Sequence, residues 1–408
     1  MRITARSWTI LFAAFLFWFF ANQTAVGWLY IIAAVLGGVV MAAFFLNRGT
    51  LKRVTVARSL MKDVEVDLHE GDDIRIKLTL KNTGQLPASH LSLVETCPIA
   101  PPDSDQHQLP MFIPILHDRI EFDYETVVHR RGLYHFPAMK IASRAPFGFF
   151  ERRGKKKIET SVLVYPELRK LTGLSLLDEQ PAAELTNPKA GIGSEVIGVR
   201  PYRSGDSPRH IHWRSVARHG NLISKEFAQE TQPGVTVVLD RYCPLSPVPE
   251  TKHQPFEMAV KAMVSIAEYA MRRGYPVHIA ADNQDMAVPQ GAIVWDALMQ
   301  YTARVPVSEQ TNLSDVLNYQ PMQQFVAIVL AWIDESLLET LISMKHRGYN
   351  LLVIVPDPAS YPIGSDISAK NFSGALDHNG IANRILKHGD DWSDVISHDN
   401  SRERLLYE

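Results

Sequence analysis

No charged residue occurs between Trp8 and Leu46. The trio Asn22-Gln23-Thr24 divides this stretch into a shorter apolar piece, Trp8–Ala21, and a longer one, Ala25–Leu46. At about 1.5 Å per residue the longer piece reaches roughly 33 Å as a helix, enough for a hydrocarbon core of about 30 Å. The shorter piece must borrow the polar trio or thin the bilayer to cross. A second full span follows at once and no small-residue cleavage site closes the first, which favours a transmembrane helix hairpin over a cleaved signal peptide. The other arrangement left open is a single span behind an interfacial first helix. Arg2 and Arg6 precede the hairpin, Arg48, Lys52, Arg53 and Arg58 follow it, and its loop is uncharged. Positive flanks stay inside, so both ends are expected in the cytoplasm, at a plasma (cell inner) membrane. Trp28 and Tyr30 belong either at the outer interface or between the helices.

Beyond the hairpin (1–48) the period changes to two. Ile74, Ile76, Leu78 and Leu80 alternate with Arg75, Lys77, Thr79 and Lys81, and Ile120, Phe122, Tyr124, Thr126 and Val128 repeat the pattern. Short alternating strands, turns such as Asn82-Thr83-Gly84 and no long amphipathic helix predict an all-β, immunoglobulin-like sandwich over 49–166. Arg152-Arg153 and Lys155-Lys156-Lys157 flank Gly154, as expected of a solvated charged turn or a patch facing anionic lipid. From Leu168 to Lys189 the chain is polar and irregular, which predicts a linker within 167–232.

After Pro233-Gly234 the pattern becomes α/β. Val235–Leu239 is a continuous apolar run, as in a parallel strand buried on both faces. Val277–Ala281, Phe325–Trp332, Leu351–Val355 and Ile381–Leu386 are the further predicted strands. Between them, Phe256, Ala259, Val260, Met263, Val264 and Ala267 share one helical face, as do Leu298 with Tyr301 and Leu337 with Leu341. Gly274 and Gly348 stop two of these helices, and Trp392, Val395 and Ile396 predict a closing one. Strand–helix alternation over 233–408 gives a doubly wound parallel sheet.

Composition narrows the chemistry. The 408 residues carry 42 Lys+Arg against 44 Asp+Glu, so no basic excess points to nucleic acid. Two cysteines, Cys97 and Cys243, exclude a disulfide scaffold and a Cys-x-x-Cys zinc site. Dinucleotide, P-loop and nucleophile-elbow motifs are missing. Asp240 ends the first strand of the α/β section, where von Willebrand factor A domains begin the metal motif Asp-x-Ser-x-Ser. Here Asp240 is followed by Arg241-Tyr242-Cys243-Pro244, without either serine. The position resembles the A-type fold and degenerates its metal site, so no metal or other cofactor is expected and Asp240 is a weak candidate only.

The densest polar cluster is Arg200-Pro201-Tyr202-Arg203-Ser204-Gly205-Asp206, Arg209-His210-Ile211-His212-Trp213, Arg218-His219-Gly220 and Lys225-Glu226-Phe227. The string Arg-x-Tyr-x-x-Gly-Asp-x-x-Arg-x-Ile-His-Trp, then Ala-Arg-x-Gly-x-Leu and Lys-Glu-Phe, resembles the signature of the domain of unknown function 58 (DUF 58) family. That resemblance implies a membrane protein linked with MoxR-type AAA+ ATPases and with other A-domain or transglutaminase-like membrane proteins, and no established catalysis. On the residues themselves, Ser207-Pro208 is expected to open a short helix with Asp206 near its cap, placing Arg209 and Trp213 four apart on one face. Arg200, Arg209, Arg218 and Lys225 then present a cationic face with Trp213 and Phe227 as anchors, or else clamp internally onto Asp206, Glu226 or Glu230. The expected role is a membrane-anchored binding adaptor or scaffold for a MoxR-type ATPase that assembles or remodels other proteins. The alternative is a metal-dependent hydrolase centred on His210 and His212.

Overall fold

The structure, a computed structural model, describes residues 2–61, 67–144, 146–178, 190–203, 207–228, 233–244, 254–282, 286–308, 310, 313–362 and 367–398, with the backbone alone at 190–198, 219 and 226–228. The chain divides into two compact units, Met1–Glu167 and Leu168–Glu408.

The first unit starts with a two-residue strand, β1 (Arg2–Ile3), then α1 (Ala5–Thr24) and α2 (Gly27–Asn47), which reverse at Ala25 in the left-handed region, φ 56°. The first helix does take in the polar trio, reaching 20 residues, and both helices are long and apolar enough to cross a membrane. Trp8, Phe12, Phe15 and Trp18 on α1 and Ile31, Val35 and Phe45 on α2 are exposed, and so are Trp28 and Tyr30, the Tyr30 hydroxyl donating across to Asn22 Oδ1 of α1 at 3.4 Å.

A short helix, α3 (Thr50–Arg53), leads into β2 (Val54–Met61), β3 (Asp73–Asn82), β4 (Ala88–Thr96), β5 (Gln108–Leu116), β6 (Arg119–Val127), β7 (Gly132–His135), β8 (Met139–Ser143), β9 (Phe150–Lys156) and β10 (Ser161–Val164). They form antiparallel sheets ordered β2-β3-β6 and β1-β9-β8-β4-β5, with β7 and β10 as a separate pair. Leu78 and Leu80 of β3 share one core with Leu91 and Leu93 of β4, Ile113 of β5 and Ile141 of β8, so the two larger sheets pack face to face. The period-two alternation of β3 is borne out, with Ile74, Ile76, Leu78 and Leu80 all buried. Within this interior Arg58 and Glu95 form an ion pair at 2.7 Å with both side chains fully buried, and the guanidinium lies 4.4 Å from the centre of the Phe136 ring.

The basic run 152–157 is not a turn. Residues 152–156 lie within β9, paired to β8 in the register Ile141↔Gly154, so alternate cations leave on opposite faces. Next to it, the turn Pro146–Phe150 grips the base of the helix hairpin. The Thr4 hydroxyl donates to the Gly148 carbonyl at 2.7 Å, the Ser7 hydroxyl donates to the Phe149 carbonyl, and Asn47 Nδ2 donates to the Phe150 carbonyl at 2.9 Å. Phe149 and Phe150 pack on Val40 and Ala43 of α2.

In the second unit the expected linker is, over its first part, core. Leu171, Leu174, Leu176 and Leu177 are buried, the last two on α4 (Ser175–Asp178), and Asp178 accepts from the Tyr269 hydroxyl at 2.8 Å and pairs with Arg273 at 3.0 Å. The polar residues between these leucines hid a segment that docks by one apolar stripe. Next come a hairpin of β11 (Ala190–Pro201) and β12 (Ile223–Ala228) enclosing α5 (Trp213–His219), and then the α/β section. It comprises β13 (Val235–Leu239), α6 (Pro255–Arg272), β14 (Val277–Ala280), α7 (Trp295–Arg304), α8 (Leu313–Tyr319), β15 (Phe325–Val329), α9 (Leu337–His346), β16 (Asn350–Pro356), α10 (Ala369–His378), β17 (Ala382–Leu386) and α11 (Trp392–Ser397).

All four strand pairings are parallel in the order β14-β13-β15-β16-β17. One face of the sheet shares a core with α6, α7 and α11, the other with α8, α9 and α10, giving the doubly wound architecture. Helix α6 departs from its amphipathic pattern: Glu257, Lys261 and Ser265 are buried with the apolar residues, and Trp392 Nε1 of α11 donates to Ser265 Oγ at 3.1 Å. Polar positions that periodicity assigns to solvent, Lys261 and Ser265, are covered by Trp392 of α11.

Candidate functional site

Ligand sites in such sheets lie at the carboxyl ends of the strands, where the order reverses. Here the reversal falls between β13 and β15, and Asp240 stands on it. Its Oδ1 accepts the Tyr242 N–H at 3.0 Å and its Oδ2 the Ala331 N–H, beyond β15, at 3.2 Å. Burial pushes the carboxyl up to about 7 against these hydrogen bonds, with Asp334 adding repulsion. Arg241 does not neutralise it. The guanidinium, also buried, turns to the second strand's end, donating from Nη1 to Asp282 Oδ1 at 2.6 Å and from Nε to the Pro306 carbonyl at 2.9 Å.

These donors do not suit a hard cation. Both Asp240 oxygens are occupied by N–H groups, the serine positions of the A-type motif hold Tyr242 and Pro244, and the neighbouring carboxylate is bound to Arg241. Among the described residues no three His, Cys, Asp or Glu side chains gather as a metal site. The other strand-end aspartates also have structural partners: Asp334 accepts from Ser336 N at 2.9 Å, and Asp357 from Ala369 N at the start of α10 at 3.0 Å. A repeated signal, an aspartate one to five residues after each of the first four strands of this sheet, was open to sequence reading and was missed. Its meaning here is backbone capping and the Arg241 pair.

The polar cluster forms the β11–β12 hairpin. Val199, Arg200 and Pro201 pair with Lys225, Ser224 and Ile223. The chain then leaves the ladder, and Tyr202 N–H donates back to the Leu222 carbonyl at 3.0 Å. The single helix expected from Ser207 is broken into two pieces. Pro208–His210 makes one 3₁₀ turn, and Ile211 bridges to Ser224 in extended form while His212 N–H donates to the Ile223 carbonyl at 2.9 Å. Only then does α5 begin. Arg209 and Trp213 therefore do not share a helical face, because pairing to β12 claims the two residues where that helix would have continued.

His212 is the cap of α5. Its Nδ1 lies 2.7 Å from Ser215 Oγ and accepts from Ser215 N at 3.3 Å, while His210 is exposed on the 3₁₀ turn. The two imidazoles sit on different local structures, and the His210-x-His212 spacing does not make a ligand pair. Gly220 closes α5 at φ +75°, the left-handed position that suits glycine, with its N–H on the Val216 carbonyl at 2.9 Å. Gly205 and Asp206 lie outside the described residues, as do the Glu226 and Phe227 side chains, so the clamp expected through Asp206, Glu226 or Glu230 falls there too.

What the hairpin carries is several exposed cations and one exposed aromatic ring. Trp213 is 64% exposed and Leu222 48%. Arg209, Arg214 and Arg218 are exposed on the same hairpin, and Arg200 and Lys225 are half-buried at the ladder. Between Arg200 and Lys225 the sequence holds six Lys/Arg and one acid, Asp206.

The family described as "Protein of unknown function DUF58" matches residues 198–362, which take in the end of β11, the rest of this hairpin, β13 and most of the sheet. The chain is 21% identical over 226 residues to the "Uncharacterized protein YeaD" of Bacillus subtilis (strain 168). That alignment covers 54% of each protein, so the chain spans about half the length of the curated relative it matches. Among solved structures, the GH20 exo-β-N-acetylglucosaminidase of Vibrio harveyi aligns at 10% identity over 80% of this chain and 59% of that one, with a TM-score of 0.21. The sporulation control protein Spo0M of Bacillus subtilis aligns at 12% identity over 28% of this chain and 49% of that one, with a TM-score of 0.15. Likenesses this slight carry no argument about fold or activity.

Proposed function

We propose that the protein is a membrane-anchored adaptor whose β11–β12 hairpin docks an acidic, partly apolar protein surface. The observation that carries the reading is an exposed tryptophan on a capped helix within a hairpin whose other exposed charges are arginines. Trp and Arg are the residue types that dominate binding energies at interfaces, and a tryptophan this exposed contributes nothing to the protein's own core. The two apolar helices, exposed over their outer faces, support an anchor, and the arginines at their base support a cytoplasmic orientation. In the same reading the two facing antiparallel sheets are an immunoglobulin-like spacer. The parallel sheet is an A-type domain that has replaced metal chemistry with the Arg241–Asp282 pair, and the partner is a MoxR-type AAA+ ATPase that holds its own nucleotide.

Affinity purification of the full chain in mild detergent, beside Arg209→Ala/Trp213→Ala, tests this. Recovery of an AAA+ ATPase by wild type and its loss from a variant of unchanged melting temperature is the expected result. Equal recovery by both moves the interface off the hairpin, and no ATPase with either refutes the adaptor reading.

A further inference from the structure

The base of the helix hairpin carries a second cationic–aromatic surface, unrelated to the β11–β12 hairpin. A pocket of about 420 Å³ opens there, lined by Arg6 from the first turn of α1, His90 and Ser92 of β4, Phe112 of β5, and Arg144 and Phe147 beside the turn that grips the helices. Among the described residues that line it, two carry guanidinium groups and none a carboxylate. Glu151 pairs with Arg144 at 3.6 Å and is shared with Arg153 at 2.9 Å.

The rim is apolar and uncovered: Phe112 is 59% exposed and Phe147 54%. Around Pro146, which lines both, a second hollow of about 230 Å³ continues the surface with Leu46 from the last turn of α2, Thr50, Arg53 and the exposed Leu86. The backbone is also unusual here. His90, within β4, has φ +51°, a conformation that side chains rarely adopt in a strand, and its ring meets Phe112 edge-on at 6.3 Å between centres.

We propose that this pocket binds the phosphate headgroup of an anionic lipid between Arg6 and Arg144. The position sets the depth. Arg6 and Leu46 mark where α1 and α2 end their apolar course, so a bilayer crossed by these helices has its headgroups at the level of the pocket. Guanidinium groups match phosphate oxygens in charge and geometry, Ser92 and His90 supply further polar groups, and Phe112, Phe147 and Leu86 meet the upper acyl carbons. The hydrogen bonds of Thr4, Ser7 and Asn47 to the 148–150 carbonyls hold the helices against this edge of the sheet, which keeps Arg6 at the pocket. The inference rests on reading the hairpin as membrane-spanning.

The test uses the full chain reconstituted in nanodiscs of phosphatidylcholine alone or with phosphatidylglycerol, with retained lipids weighed by native mass spectrometry. Wild type is expected to retain phosphatidylglycerol over phosphatidylcholine. Arg6→Ala/Arg144→Ala is expected to lose that preference by at least about tenfold, Arg6→Lys/Arg144→Lys to lose it partly, and Arg75→Ala/Arg347→Ala, with the same charge change elsewhere, to keep it. No preference in wild type, or equal loss in the Arg75/Arg347 variant, overturns the site. A second arm adds inorganic phosphate to detergent-solubilised, delipidated protein. Stabilisation there that matches phosphatidylglycerol, and that is lost in the alanine variant, overturns the lipid source in favour of a soluble phosphoryl compound. Carbonate washing of membranes separates the premise from the inference. A chain released by carbonate fails the spanning reading itself, whereas one that stays in the membrane without headgroup preference fails the pocket alone.

Discussion

Replacing Asp240 by Asn should remove a pH dependence that the wild-type fold cannot avoid. Burial raises this carboxyl from an ordinary 3.8 to about 7. Between those values the folded chain still holds a proton that the unfolded chain has released, so stability falls as pH rises. The contribution is complete below the unfolded value and gone once pH passes the folded one. At about 1.4 kcal/mol per unit, a shift of roughly three units amounts to about 4 kcal/mol over the full window. Asn keeps the volume and one acceptor. Leaving the N–H of Tyr242 or Ala331 unpaired costs about 1–3 kcal/mol at every pH, which displaces the stability curve without tilting it. Urea unfolding of the full chain in detergent, followed by the fluorescence of the buried Trp332 and Trp392, gives both curves. Every other titrating group is common to the two proteins. The difference between them should therefore move in the variant's favour by about 3 kcal/mol from about pH 4.5 to about pH 8. Parallel curves across that range would refute the argument and mean that Asp240 is ionised in the folded protein through a partner other than Arg241.

Three further outcomes follow from the same geometry. Arg58→Met should destabilise the first unit by about 3–5 kcal/mol, because Glu95 is left as an unpaired carboxylate in a dry core, while Arg58→Met/Glu95→Leu recovers most of that loss in thermal melts. Gly220→Ala places a side chain at φ +75° in open space, so strain of about 1 kcal/mol is its only cost, seen as roughly fivefold faster hydrogen exchange at the end of α5. Trp213→Ala alone should leave the melting temperature within the reach of about 0.5 kcal/mol while weakening partner recovery, since its ring is mostly exposed.

Features carried by a segment's own residues were legible in the chain before folding. The two apolar helices follow from length and the absence of charge, β3 from its strict alternation, and the parallel strands from continuous apolar runs. The stop after α9 follows from Gly348, which adopts φ +90°. Helices α8 and α10 escaped because their apolar positions are few and lie between other elements. The hairpin's residues were likewise visible as a cluster, whereas their arrangement was not. Arg209 and Trp213 are four apart, but Ile211 and His212 are drawn into pairing with β12, and that competition depends on a strand eleven residues further on. The same reason gives Arg241 to Asp282, forty-one residues away, rather than to the adjacent Asp240. It buries the leucines between Leu171 and Leu177 in a stretch that is polar on average, and it covers Lys261 and Ser265 of α6 with Trp392. Periodicity and composition describe which faces a segment has. Which distant group meets each face, and so where a charge is neutralised or left exposed to bind, is decided only when the backbone brings the two together.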